Sequence, residues 1–161
     1  MKIIFICVSL ECGKNGVGDY TRRLAGEIIN QGHEVALIAM NERGLNDVIK
    51  QDDSFKNVLR LPSIISWRLR EQDTRNFIDE FKPDFISLQF VIYGWHDKGL
   101  PLFLPKMLAR ISQGYKLHLM FHELSIGLSQ GVSLKENIIG FLQRILVIKP
   151  LLKLNDLSLI D

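Results

Sequence analysis

Cysteine is scarce: Cys7 and Cys12 are the only two in 161 residues, too few for a disulfide framework. A reducing compartment is the default that follows, so the expected location is the cytoplasm. Neither sign of charge dominates, because twenty Lys and Arg face eighteen Asp and Glu. That balance excludes a protein that lives on the nucleic-acid backbone. No uninterrupted apolar stretch is long enough to cross a bilayer. The nearest, Ile138 to Leu154, is broken by Arg144, Lys149 and Pro150, which leaves a core helix or a helix lying on a membrane surface. The first ten residues are apolar, but Glu11, Gly13 and Lys14 follow without a small-residue cleavage site, so no targeting segment is read there. Metal-ligating clusters are missing too. His118 and His122 share a strand face roughly 13 Å apart, so no metal is expected. No Gly-x-Ser-x-Gly elbow occurs, which argues against an ordinary hydrolase of α/β topology.

What is present is a globular composition, 47% apolar and 24% charged. A chain of this length buries about 69% of its unfolded area, enough for a single domain over 1–161 that needs neither disulfide nor metal. Its periodicity alternates. Lys2 to Ser9 is apolar on both faces, as a parallel strand covered on both sides is. Val17 to Gln31 has helical spacing, with Gly32 as a left-handed stop. Glu34 to Met40 reads as a second buried strand and Val58 to Leu61 as a short third. Arg70 to Phe81 reads as a helix, Asp84 to Val91 as a strand and Pro101 to Ser112 as a helix. Lys116 to Glu123 is another strand. Ser133 to Leu146 fits a helix with a capping box on Ser133 and Glu136, and Asp156 to Ile160 resembles a last strand.

Strands alternating with helices through short connections predict a doubly wound parallel α/β sheet. Ligands of such sheets bind beyond the carboxyl ends of the strands. Four segments lie there: Ser9 to Asp19, Met40 to Arg43, Gln89 to Asp97, and His122 to Gly127. In the first, Gly13-Lys14-Asn15-Gly16-Val17-Gly18-Asp19 joins strand to helix. Glycines allow close backbone approach, and a helix N-terminus favours an anion such as phosphate. The plainer reading is a tight turn with Asn15 capping the helix. A dinucleotide fingerprint fails at its third position, Thr21, and Glu42 is a weak candidate for the ribose-binding acid because it lies in a polar turn. An ATPase loop fails because Asp19 stands where lysine is needed.

Asn15-Gly16-Val17-Gly18-Asp19-Tyr20-Thr21-Arg22-Arg23-Leu24-Ala25, followed by Gly32-His33-Glu34-Val35, resembles the opening of nucleotide-sugar glycosyltransferases of the GT-B fold, family four in particular. Leu88 to Trp95 with Lys98-Gly99-Leu100-Pro101 is similar to that family's fourth-strand loop. Phe121-His122-Glu123-Leu124 is similar to the His-bearing end of its next strand. Asn15 departs from the Gly-Gly pair often found in the family. The resemblance implies a Rossmann-like domain, the N-terminal and acceptor-side half of a GT-B architecture. It further implies a glycine loop, Gly16, Val17 and Gly18, approaching the donor diphosphate, and His122 at the donor sugar as the catalytic-site residue. Backbone N–H groups suit a leaving diphosphate, and an imidazole suits a sugar hydroxyl.

Around these, Asp19, Gln89, Tyr93, Trp95 and Glu123 are candidates for binding an acceptor. Each also has a structural reading: a first-turn acid stabilises a helix anyway, and aromatics pack in loops. Strand alternation sends His122 and Glu123 to opposite faces. Cys7 reads as inert core and Cys12 as accessible.

The family's donor site sits in a second domain to which nothing here corresponds. The expectation is therefore half an enzyme, inactive alone, whose partners are the missing C-terminal domain and a sugar or glycolipid acceptor. Its donor is a nucleotide sugar, and no cofactor is implied. Family resemblance suggests retention of configuration without a metal, in cell-surface polysaccharide or glycolipid assembly at the inner face of a membrane. The alternative is a stand-alone module that binds a phosphorylated metabolite or a protein partner through the same loop.

Overall fold

The computed structural model describes residues 1–123 and 134–157, with backbone alone for 134–136 and 155–157. Strand β1 (Lys2–Cys7) leads into α1 (Gly16–Asn30), β2 (Glu34–Glu42) and β3 (Val58–Pro62). Next come α2 (Trp67–Phe81), β4 (Phe85–Phe90), a single turn α3 (Ile92–Trp95), α4 (Leu104–Ile111) and β5 (Lys116–Phe121). A helical segment closes the described chain: α5 (Leu134–Gln143), a π turn (Arg144–Ile148) and α6 (Lys149–Leu157). The five strands are all parallel, in the order β3-β2-β1-β4-β5. That is the Rossmann order, with its switch point between β1 and β4.

Alternation along β1 sorts the core into two layers. Ile3, Phe5 and Cys7 pack with Ala25 of α1 and with Val35, Leu37 and Ala39 of β2. Ile4 and Ile6 face the other way, with Ile86, Leu88 and Phe90 of β4, against Ile78, Met107, Leu108 and Leu151 of the later helices. Burial pushes the Cys7 thiol far above the ordinary range, so it is an apolar core group, whereas Cys12 is exposed.

The element ends have local causes. Asn15 caps α1, and Gly32 follows it at φ +84°. Helix α2 begins three residues before the expected Arg70, because the Ser66 hydroxyl accepts from Leu69 N–H. It ends at Lys82, held left-handed at φ 52° because Pro83 bars another helical turn.

The C-terminal expectation needs correction. The helix predicted to stop at Leu146 continues past Pro150. A proline there lacks an N–H and collides with the carbonyl four residues back. The π turn resolves this by widening the coil, so that Lys149 N–H reaches Arg144 O. Asp156 and Leu157 end α6 instead of opening a strand; the rest of that expected strand, and Ser133 of the capping box, lie outside the described residues. Within 138–154, Val147, Ile148 and Leu151 are buried, while Ile138, Phe141, Ile145, Leu146 and Leu152 are exposed. No described helix is long and apolar enough to cross a membrane.

Candidate functional site

A cavity of about 760 Å³ opens at the switch point, beyond the carboxyl ends of β1, β2, β4 and β5. Its wall from the first loop is Ser9, Glu11, Lys14, Asn15, Gly16, Val17 and Tyr20. Asn41 and Arg43 come from the end of β2, Tyr93 and Gly94 from α3, and His122 and Glu123 from the end of β5. All but Val8 and Tyr20 of the lining fall within the four segments expected from the strand ends. The sheet thus gathers five of the expected site residues: Gly16, Val17, Tyr93, His122 and Glu123. His122 and Glu123 share the cavity because β5 has already ended at Phe121, so strand alternation no longer applies to them.

Four expected residues are placed elsewhere. Gly18 is buried under the loop; a Cβ on it would lie 2.3 Å from the Ser9 carbonyl oxygen. Its role is to let α1 touch the end of β1. Asp19 turns back to accept from Gly13 N–H at 3.1 and 3.2 Å, closing the loop on itself. Gln89 lies beneath the cleft, and Trp95 faces a neighbouring cavity. The loop's own donors are also committed. Asn15 Oδ1 accepts from Val17 N–H (3.1 Å) and Gly18 N–H (2.9 Å), the position an anion at this helix terminus would take. Gly16 N–H and the Lys14 ammonium, paired with Glu11 at 2.7 Å, remain at the cleft.

Glu42 is the acid the sequence misplaced. It is fully buried at the end of β2 and has no face free for a ribose. Oε1 accepts from Leu10 N–H (2.7 Å) and Arg60 Nε (2.9 Å), and Oε2 accepts from the Ser9 hydroxyl (2.8 Å). It therefore ties the start of the glycine loop to β2 and β3.

His122 is held by a polar chain under the sheet surface. Gln89 Nε2 donates to Ser87 Oγ at 2.9 Å, so its Oε1 is the acceptor facing His122 Nε2 at 3.0 Å. Nε2 of His122 therefore carries the hydrogen, and Nδ1 is left as the acceptor nitrogen. Ser87 Oγ continues the chain to His118 Nδ1 at 2.9 Å. The Tyr20 ring meets the imidazole edge-on at 5.1 Å. The sequence signal for this arrangement was two polar residues, Ser87 and Gln89, on one face of an otherwise apolar strand.

Burial pushes the His122 pKa below its ordinary value, and the neighbouring Glu123 carboxylate opposes the shift only in part. The imidazole is therefore neutral at pH 7. As pH falls through about 6.5, the unfolded chain takes up this proton before the folded one does, so stability present above that pH is lost on acidification. His122→Gln keeps a partner for Gln89 but cannot titrate. Urea unfolding between about pH 7.5 and about pH 5 should show a shallower loss of stability in this variant than in the wild type. Equal slopes in the two proteins would refute the assignment.

Among the described residues, no group of three or more His, Cys, Asp or Glu side chains converges to hold a metal. Strand order and cleft together define a Rossmann-like α/β domain with a polar, aromatic-edged site at its switch point. Comparison of the chain with protein-family models, curated proteins and solved structures gives no match.

Proposed function

We propose that this chain is the acceptor-side domain of a nucleotide-sugar-dependent glycosyltransferase, metal-independent and retaining, which transfers a sugar to a hydroxyl acceptor and is inactive without a donor-binding partner domain. The observation that carries the proposal is the cleft itself. It brings Gly16 and Val17 of the glycine loop, Tyr93 and His122 together at the switch point, and this gathering supports the reading suggested by the resemblance to GT-B glycosyltransferases. Its lining also suits a sugar. Aromatic rings of Tyr20 and Tyr93 stand beside hydrogen-bonding groups of both kinds, from Ser9, Asn41, His122 and Glu123. The neutral imidazole, with Nε2–H held by Gln89, would offer Nδ1 to a hydroxyl. Gly16 N–H and Lys14 would meet a diphosphate as its charge develops. Val17 and Gly18 would join them only after the Asn15 side chain swings away.

An NMR titration of the isotope-labelled chain with UDP, GDP and simple methyl glycosides tests this. Shifts are expected at Gly16, Tyr93 and His122. Asn15→Gly should cost only about 0.3 kcal/mol of stability. It frees two N–H donors and should tighten nucleoside diphosphate binding several-fold. Silence toward every glycoside, with a response to phosphorylated metabolites alone, would replace the proposal with a stand-alone binding module. Sugar transfer by this chain unaided would overturn the half-site reading.

A further inference from the structure

A second cavity of about 600 Å³ lies beside the main cleft, between the end of β2, the start of α2 and the turn after α3. Arg70 reaches into it from α2 and is only 4% exposed. One of its nitrogens, Nη1, donates to Met40 O (2.9 Å) and Asn41 Oδ1 (2.6 Å), both neutral acceptors. The guanidinium carbon of Arg70 lies over the Trp67 ring, 3.6 Å from its centroid. Arg70 Nε is buried with no partner among the described residues, and so is Trp95 Nε1 in the same cavity wall. None of the ion pairs among the described residues includes Arg70.

A buried cation without a counter-ion costs several kcal/mol and is normally paired. Here burial alone acts on Arg70, lowering its pKa to about 10, with no acid to offset the loss of water. The guanidinium stays charged at pH 7. Its surroundings increase the imbalance. Arg43 and Lys98 line the same cavity, and the one acid there, Asp97, is already paired with Arg43. Three cations and one carboxylate leave two positive charges in excess. Arg, with its planar fork of donors, is the side chain best shaped for a phosphate or carboxylate.

We propose that Arg70, Arg43 and Lys98 form a second binding site, for an oxyanion carried as a phosphate or carboxylate group on a ligand. Arg70 supplies the desolvated charge and its free Nε–H. Trp95 supplies a further N–H, and Lys98 supplies long-range attraction from the rim. Asn41 and Arg43 line both cavities, and Asn41 separates them, donating to Gly94 O at 2.9 Å while accepting from Arg70. A ligand that fills the main cleft and bears an acidic substituent can therefore engage both sites. The second site stands whether or not the chain serves a transferase; if it does, the acceptor is an acidic one.

The chain's only two tryptophans, Trp67 and Trp95, both line this cavity, whereas Tyr20 and Tyr93 line the main cleft, so tryptophan emission excited at wavelengths that tyrosine does not absorb reads this site. The protein is titrated with inorganic phosphate and, separately, with succinate, chloride holding the ionic strength constant. A saturable change is expected in the wild type, weakened at least tenfold in Arg70→Gln. Saturation by phosphate alone assigns a phosphate group, and by succinate alone a carboxylate. Should Arg70→Gln fail to fold, as judged by circular dichroism, Lys98→Gln on the exposed rim is expected to weaken binding about threefold. A response no different from chloride, or equal affinity in wild type and variant, overturns the proposal.

Discussion

Gly18→Ala is expected to lower the thermal midpoint by about 6–12 °C, a loss of about 3 kcal/mol for a domain of this size. Gly16→Ala, two residues earlier in the same loop, should leave it unchanged or raise it slightly. The contrast follows from what each new methyl group meets. At Gly18 it lies 2.3 Å from the Ser9 carbonyl oxygen and 3.3 Å from Leu10 Cα, both main-chain atoms that no side-chain rotation can clear. Helix α1 would have to lift from the end of β1. At Gly16 nothing lies within 4 Å, and the residue already has a backbone that an L side chain accepts. Circular dichroism melts of both variants decide the matter; equal midpoints would mean that the close approach of α1 to β1 is not real. The two glycines look alike in sequence, but one lines the cleft and the other lets a helix approach a strand.

Glu42→Ala should cost about 4 kcal/mol, a large part of the roughly 5–15 kcal/mol that holds a domain together. The variant strands Leu10 N–H, the Ser9 hydroxyl and the Arg60 guanidinium at once, where Arg60 is itself mostly buried. Glu42→Gln keeps an oxygen for Leu10 and an amide for Ser9, so only the charge opposite Arg60 is lost. About half the penalty is expected. Replacing the pair together, as Glu42→Leu with Arg60→Met, should recover much of the loss, because the desolvation of both charges disappears with them. Urea midpoints of the four proteins test the set. If Glu42→Ala behaved like a surface substitution, the strut between the glycine loop and β3 would have to be abandoned.

The strands of the sheet were legible in the sequence, β1 and β2 most plainly from the runs Ile3 to Cys7 and Val35 to Met40, because parallel strands covered on both faces leave an unbroken apolar signature. What eluded sequence reading depended on single groups with no periodic trace. Ser66 adds a turn to α2 through one hydroxyl, and the π turn before Pro150 turns an apparent helix end into a continuation. For the site, the rule about strand ends gave the address, and the cleft lies there. It did not give direction. Asp19 stands at the address but turns back onto its own loop, Gln89 points into the protein, and Glu42, read as part of a polar turn, is among the most buried groups in the molecule. Arg70 left no trace either, since an arginine on a helix ordinarily reaches solvent. Its isolation becomes visible only when its neighbours are known.

The position of β1 has a consequence for how the chain comes to be folded. It precedes the other four described strands in sequence and is the central one in the sheet, and it pairs with β2 on one edge and β4 on the other. The second pairing joins residues some 80 apart, as the bond from Lys2 N–H to Asp84 shows. During synthesis, at about 5–20 residues per second, β1 and β2 can meet well before β4 exists. For the seconds between, α1 can cover one face, but the free edge of β1 and the face bearing Ile4 and Ile6 stand open, closed only when distant segments arrive. Long-range parallel pairing of this kind slows folding and exposes the nascent chain to wrong partners.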